Sequence, residues 1–286
     1  MNDLLIYNWD NFDSKINDNF IIGSFESFHL GHYQIYKVRL WELHKKNNGR
    51  IILITFNQET FEFKNKGSFF QSNQANYFNL VDLNICAVLE LDFLKVKNLT
   101  AIEFLSKLSN QKEINLFAGE DFRLGSDRIL LSDLKLPKNL LINVTNIEIF
   151  KYRDKKISTS FLKELLEFGD IKFLNELLVY NFTIYGQYKG DDIDLNPHQM
   201  LPHRGFYIAK VYLNNLIFYS VINVTTEQKI KWFQVSLDDF FTNSITDGEI
   251  FIEFIDKIYL ITSNHDINIK DEHLEIAKKY FLANED

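Results

Sequence analysis

The apolar residues of this chain follow two rhythms, and the change between them after about Phe182 constrains the fold more than any other feature. Up to that point, continuous apolar runs of strand length alternate with stretches of helical period. Phe20 to Ile22, Ile51 to Phe56, Ala87 to Leu91, Ile114 to Ala118 and Leu140 to Val144 read as buried strands. A helix is expected over Tyr33 to Lys46, with the Asn48-Gly49 turn behind it. A second is expected over Ala101 to Leu108, with Thr100 as its N-cap. Such alternation predicts an α/β fold with a parallel sheet and crossover helices. Beyond Phe182, Phe206 to Leu213, Leu216 to Val224, Lys231 to Val235, Ile250 to Phe254 and Lys257 to Ile261 follow as short strands, with turns at Asn214-Asn215 and Asp247-Gly248. That spacing predicts an antiparallel sheet or small barrel, and Lys270 to Ala283 adds one terminal amphipathic helix.

A chain of 286 residues suits two such domains, and 46% hydrophobic residues can fill both cores. The net charge of −8 argues against a broad nucleic-acid footprint, so an anionic ligand would have to meet local positive groups. The lone cysteine, Cys86, excludes an intrachain disulfide or a thiolate metal cluster and reads as a buried strand residue. No basic segment precedes a long apolar core at Met1 to Tyr7, and no apolar run reaches the ~18 residues of a membrane span. The expected compartment is therefore the cytoplasm, with no membrane partner. The 27 Phe read as ordinary core.

Within the first rhythm, Phe20-Ile-Ile-Gly-Ser-Phe-Glu-Ser-Phe-His-Leu-Gly-His32 runs a strand into a glycine and places His29 and His32 around Gly31 at a helix start. Unbonded N–H groups and the positive end of the macrodipole favour phosphate there. Gly23 lets the strand turn and Gly31 lets a nucleotide approach the backbone. Two imidazoles beside such a site can donate hydrogen bonds to phosphate oxygens as charge builds in a transition state. The implied chemistry is phosphoryl or nucleotidyl transfer. Singly, such histidines are more often a satisfied core residue and a surface one; the strand-to-helix setting favours the site.

His-x-Gly-His after a strand ending in glycine resembles the nucleotidylyltransferase superfamily. In full, Gly23 to His32 resembles the opening motif of the bifunctional riboflavin kinase/FAD synthetase family, Gly-x-Phe-Asp-Gly-x-His-x-Gly-His, with Glu26 in place of Asp and Ser27 in place of Gly. Phe117-Ala-Gly-Glu-Asp-Phe-Arg-Leu-Gly125 is similar to its Gly-x-Asp-Phe-Arg-Phe-Gly segment. Lys156-Ile-Ser-Thr-Ser-Phe-Leu-Lys163 is similar to Ile-Ser-Ser-Thr-x-Ile-Arg, with Lys163 as a point charge where the family has the forked Arg. Thr55-Phe56 matches Thr-Phe-x-Pro-x-Pro without its prolines. Leu177-Leu178 and Phe182 to Gly186 resemble the segment joining the two modules.

The resemblance implies a Rossmann-like nucleotidylyltransferase domain over residues 1–183 and a riboflavin kinase-like antiparallel β-barrel with a C-terminal helix over 184–286. It implies His29 and His32 as catalytic residues. Gly23, Ser24, Phe25, Gly31, Ser158, Thr159, Ser160 and Lys163 would bind ATP; Thr55, Phe56, Asn57, Asp121 and Arg123 would line the flavin or nucleotide site. Mg²⁺ would arrive with ATP, and no separate metal site is expected. The partners would be ATP, FMN and FAD; the oligomeric state is left open.

The second module resembles the kinase in outline only. Leu201-Pro-His-Arg-Gly-Phe-Tyr207 is similar to its Pro-x-x-Gly-Val-Tyr strand. Its Gly-Arg-x-x-Gly-x-Pro-Thr-Ala-Asn segment has no counterpart between Gly186 and Pro202, and Gln234 aligns with the usual catalytic Glu. An amide cannot act as the general base, so loss of kinase activity is expected. Asp192 and Asp194 read as solvated acids. Two other readings stay open: a nucleotidylyltransferase for another phosphate, against which Asp121-Phe-Arg argues, and a non-catalytic nucleotide or flavin binder.

Overall fold

A computed structural model of the chain describes residues 4–37, 46, 49–64, 67–83, 85–190, 192–237, 246–262 and 268–284. The chain packs as two compact units, Met1–Gly67 with Tyr77–Ile157, and Ser68–Asn76 with Ser158–Asp286.

The first unit is built on β1 (Leu5–Asn8), β2 (Asp18–Ile22), β3 (Ile51–Phe56), β4 (Ala87–Leu91), β5 (Ile114–Gly119) and β8 (Ile142–Ile147), ordered β1-β4-β3-β2-β5-β8 with every pairing parallel. The central strands are buried along their length, as β2 and β3 show, because helices cover the faces of a parallel sheet. Phe20, Ile22, Ile52, Ile54, Leu89 and Leu116 from the strands meet Phe104, Leu105 and Leu108 from the helix Ala101–Ser109 in one core. That helix starts as expected: Thr100 and Glu103 form a reciprocal capping box. The other helices are α1 (Leu30–Ile35), α2 (Gln58–Lys64), α3 (Asn73–Leu80), whose first half belongs to the Ser68–Asn76 segment of the second unit, and the short α4 (Phe93–Val96), so Ala101–Ser109 is α5. Two hairpins complete the unit, β6 (Arg123–Leu124) with β7 (Ile129–Leu130), and β9 (Lys151–Tyr152) with β10 (Lys155–Lys156).

The second unit carries α6 (Thr159–Glu167) and α7 (Ile171–Leu177), then an antiparallel sheet. Its strands are β11 (Thr183–Lys189), β12 (Asp192–Leu195), β13 (Gly205–Leu213), β14 (Leu216–Val224), β15 (Ile230–Gln234) and β16 (Gly248–Leu260), ordered β12-β11-β16-β13-β14-β15. The sheet curls far enough to bring edge strands β12 and β15 into contact, a half-barrel. Helix α8 (Asp271–Ala283) closes it, packing Ala277 and Phe281 against Phe206, Ile208 and Val221.

Several expectations shift. Ile250 to Phe254 and Lys257 to Ile261 are one strand, β16, not two. Against β13 its register slips between Phe206 and Tyr207 and between Ile208 and Ala209, leaving Ile258 and Ile255 as extra residues. These bulges bend the strand rather than end it, and both isoleucines pack toward the α8 core. The strand expected at Leu140 starts two residues later, and edge strand β1 and the hairpins went unpredicted. Cys86 precedes β4, half-buried, its N–H bonded to the Ile51 carbonyl. Most of the helix expected over Tyr33 to Lys46 lies outside the described residues; its first turns are α1.

Candidate active site

Beyond the carboxyl ends of β2, β3 and β5, three short connections converge, the usual ligand position on an open α/β sheet. The chain leaving β2 is tied back to β3. The Gly23 N–H donates to the Ile54 carbonyl, and the Thr55 hydroxyl donates to the Ser24 carbonyl at 2.7 Å. Phe25 then takes a left-handed φ of 46°, unfavourable for a bulky side chain, and turns its ring inward to 3% exposure. A Cβ on residue 23 would sit 2.8 Å from that ring, so Gly23 makes room for it. The Phe25 ring packs 4.5 Å from the His32 ring, with Phe28 on the same side at 5.9 Å. Phe25 thus supports an imidazole from within.

The spacing of the two histidines has a physical reason. His29 is the N-cap of α1, and its Nδ1 accepts the Gly31 N–H at 3.1 Å. The imidazole folds back over residue 31, where a Cβ would lie 2.9 Å from His29 Cε1. Only glycine leaves that space. One turn on, His32 stacks on His29 with ring centroids 3.9 Å apart. His32 keeps a partly exposed edge while its Nδ1 is sealed; neither that atom nor the buried Ser27 Oγ has a hydrogen-bond partner among the described residues.

Both imidazoles are held neutral. Burial is the main cause, pushing His29 down to about 4, with the positive charge of Lys156 adding to it. His32 lies well below its ordinary value through burial, then the charge of His29, with a smaller push from Lys156. Because His29 Nδ1 accepts a backbone N–H, its proton is assigned to Nε2, which makes that nitrogen a donor. Lys156, on β10, pairs its ammonium with the Asp121 carboxylate in the turn after β5. Sequence reasoning missed Lys156, although it opens the Lys156 to Lys163 segment.

The other candidates divide. Gly23, Thr55, Phe56 and Arg123 line one largely apolar cleft of about 190 Å³ with Leu91, Phe93, Val96 and Phe122. Arg123 is exposed and donates from Nη1 to the Arg128 carbonyl. Asn57 caps α2: its Oδ1 accepts from the Thr60 N–H at 3.2 Å, and its Nδ2 donates to Glu59 at 2.9 Å. This Asx cap forms over Gln58 and Thr60, the two positions that are proline in the Thr-Phe-x-Pro-x-Pro pattern. Ser158, Thr159, Ser160 and Lys163 open the second unit; Ser158 is the N-cap of α6, accepting from the Phe161 N–H, and Lys163 is half-buried. The structure therefore gathers Phe25, His29, Gly31 and His32 with the Lys156–Asp121 pair, and Gly23 joins them to the apolar cleft.

The sequence model of the family described as FAD synthetase matches residues 13–161, slightly more than half of the chain. The chain belongs to the FAD synthetase family. It is accordingly a nucleotidyltransferase. Among FAD synthetase relatives, the bifunctional riboflavin kinase/FMN adenylyltransferase of Buchnera aphidicola subsp. Schizaphis graminum is 27% identical over 305 residues, covering 93% of this chain and 96% of that protein. The protein of the same name from Bacillus subtilis is 28% identical over 92 residues, 28% of this chain and 29% of its own length. A crystal structure of a macrolide-efflux protein from Streptococcus pneumoniae matches with a TM-score of 0.78, covering 99% of this chain and 100% of that one; at 17% identity this speaks to the fold alone. Among the described residues no helix is long and apolar enough to cross a membrane.

Proposed function

We propose that this FAD synthetase family member is an FMN adenylyltransferase, converting FMN and ATP to FAD and pyrophosphate. The observation that carries the reading is the stacked, neutral His29–His32 pair at the end of a parallel strand, inside the matched residues 13–161. An oxygen of the FMN phosphate attacks the α-phosphorus of ATP, the bond to the bridging oxygen breaks, and pyrophosphate leaves with its electron pair. No covalent intermediate on the chain is needed. His29 Nε2–H donates to phosphate oxygens whose charge grows in the transition state, and His32 backs it through the ring stack.

The cleft beside Gly23 suits a flat apolar ring with one polar edge, so it is assigned to the isoalloxazine, with Thr55 fixing the loop rather than touching ligand. Ser158, Thr159, Ser160 and Lys163 are assigned to phosphate from the resemblance of their segment. Among the described residues no three His, Cys, Asp or Glu side chains converge on a cation site. Mg²⁺ is assigned to the substrate, as MgATP, where it offsets phosphate charge.

We propose further that residues 184–286 form a riboflavin kinase-like module that has lost its activity. Gln234, at the end of β15, occupies the position of the general base, and the segment before Pro202 is short. A retained kinase is the competing reading. It is favoured by the near full-length match to a relative named as bifunctional, and by a mixed polar cavity of about 730 Å³ lined by Asp192, Asn223, Trp232 and Gln234. FMN with MgATP should yield FAD, and riboflavin with MgATP should yield no FMN; FMN formation would establish the competing reading.

A further inference from the structure

We propose that Ser27 is a positioning residue for His32: its hydroxyl donates to His32 Nδ1, which keeps the ring proton on Nε2 and makes His32 a second donor beside His29. The task given to that donor rests on the adenylyltransferase reading; the hydrogen bond itself does not.

The His32 ring lies among the rings of His29, Phe25 and Phe28, with centroids 3.9, 4.5 and 5.9 Å away. The two phenyl rings offer an imidazole nitrogen no conventional hydrogen bond. Behind them His32 Nδ1 and Ser27 Oγ are both buried, and neither has a hydrogen-bond partner among the described residues. The two belong to one neighbourhood: the Ser27 backbone is close enough to the His32 ring to favour its protonated form, against the larger effect of burial. Ser27 itself is 0% exposed. It stands where the resembled motif has glycine, yet the left-handed φ of this turn falls on Phe25, at 46°. Position 27 therefore does not need glycine, and its side chain is an addition of this chain.

A buried hydroxyl without a partner is costly, and so is a buried imidazole nitrogen. Two such atoms at one ring answer each other. The hydroxyl is a donor free to rotate, and the unprotonated nitrogen of a neutral imidazole is an acceptor. A rotation about the serine Cα–Cβ bond, or one enclosed water held by Oγ and Nδ1, joins them. The result repeats at His32 what the backbone does at His29, where Nδ1 accepts the Gly31 N–H and the proton sits on Nε2. The reverse polarity, Nδ1–H donating to Oγ, would leave Nε2 a bare lone pair that phosphate oxygens repel. The stacked pair thus meets polyphosphate with two N–H groups, one set by backbone and one by a side chain. The bland reading is a small side chain filling space, and it predicts that removing the hydroxyl changes nothing at His32.

Nitrogen-15 NMR of the whole chain, labelled at histidine and free of ligand near neutral pH, tests this by showing which ring nitrogens carry protons. In the unmodified chain His32 should carry its proton on Nε2, with Nδ1 displaced from the position of a free imidazole nitrogen by the bond it accepts. In Ser27→Ala that displacement should be lost. A proton on Nδ1 in the unmodified chain overturns the proposal, and so does an unmoved Nδ1 in the variant. Should Ser27→Ala fail to fold, Ser27→Cys decides, because the thiol has nearly the same shape and is a weak donor; there too an unmoved Nδ1 overturns it. His29 should keep its proton on Nε2 in every variant, since its partner is the Gly31 N–H, and loss of both assignments together also counts against a specific bond. In the FAD assay, kcat of Ser27→Ala should fall about three- to tenfold, with KM for FMN within about twofold, because a transition-state donor is weakened. An unchanged kcat overturns the donor role. No FAD from the unmodified chain, with His32 protonated as expected, would sink the adenylyltransferase reading and keep the hydrogen bond.

Discussion

The two six-stranded sheets distribute polar groups in opposite ways. In the parallel sheet they sit at the strand ends. Asn19, Asn115 and Asn143, near the starts of β2, β5 and β8, form a ladder in which Asn143 donates to Asn115 and Asn115 to Asn19, each at 3.1 Å. Beside it Arg50 forks onto the buried Asp18. The opposite ends lead to the histidines, and the middle is Ile, Leu and Phe. In the antiparallel sheet, by contrast, polar groups from four strands line one cavity: Tyr188, Asp192, Asn223, Lys231 and Gln234. A parallel sheet covered on both sides offers a ligand only its end, where loops set the chemistry. A curled antiparallel sheet offers a surface. Chemistry in the first unit should therefore depend on a few tightly placed atoms, whereas the second should tolerate exchange of any one of them.

The largest expected effect is at His29. His29→Ala should lower kcat for FAD formation by about 10²–10⁴-fold with the fold retained by circular dichroism, because a transition-state donor is removed. Less than a threefold loss would erase the contrast between the units. Next is acid stability. A buried neutral His29 near 4 cannot take the proton that the unfolded chain takes near 6.5, so stability is full above 6.5 and falls as pH drops toward 4. The loss should reach up to about 3 kcal/mol, read from denaturant midpoints at stepped pH, and His29→Gln should flatten the slope. Saturating MgATP should flatten it too, by drawing His29 toward protonation.

How much of this was legible follows from the same contrast. Buried parallel strands are unbroken apolar runs, so β3 and β4 could be bounded from sequence alone, and Thr100 marked a helix start. The hairpin turn at Asn214-Asn215 was equally plain, with φ of 51° and 63°. A bulge leaves no such mark: Ile255 and Asp256 fall between the two expected strands, yet β16 runs on through them, with Ile255 and Ile258 as its extra residues. The histidines could be named because strand, glycine and helix order are local. That Phe25 would be buried support and Asn57 a helix cap could not be read, since both depend on neighbours brought in by folding. Lys156 was missed for the same reason: its partner is 35 residues away.

A smaller effect is expected at Gly31. Gly31→Ala places a Cβ against the His29 ring, and the ring must shift a few tenths of an ångström or more. A kcat loss of about tenfold is expected from such misplacement, measured beside an unchanged thermal midpoint. The smallest effect belongs to the second unit. Gln234→Glu should leave FAD formation unchanged and produce no FMN from riboflavin, because the segment before Pro202 is also altered. FMN appearing in that variant would show that one residue does decide the second site, against the comparison drawn here.

The most direct measurement is chromatographic detection of FAD after the purified 286-residue chain is incubated with FMN and MgATP, with pyrophosphate counted in parallel. FAD and pyrophosphate should form in equal amounts, and both should vanish in His29→Ala. No FAD above a protein-free control, from folded chain with both histidines intact, would contradict the account.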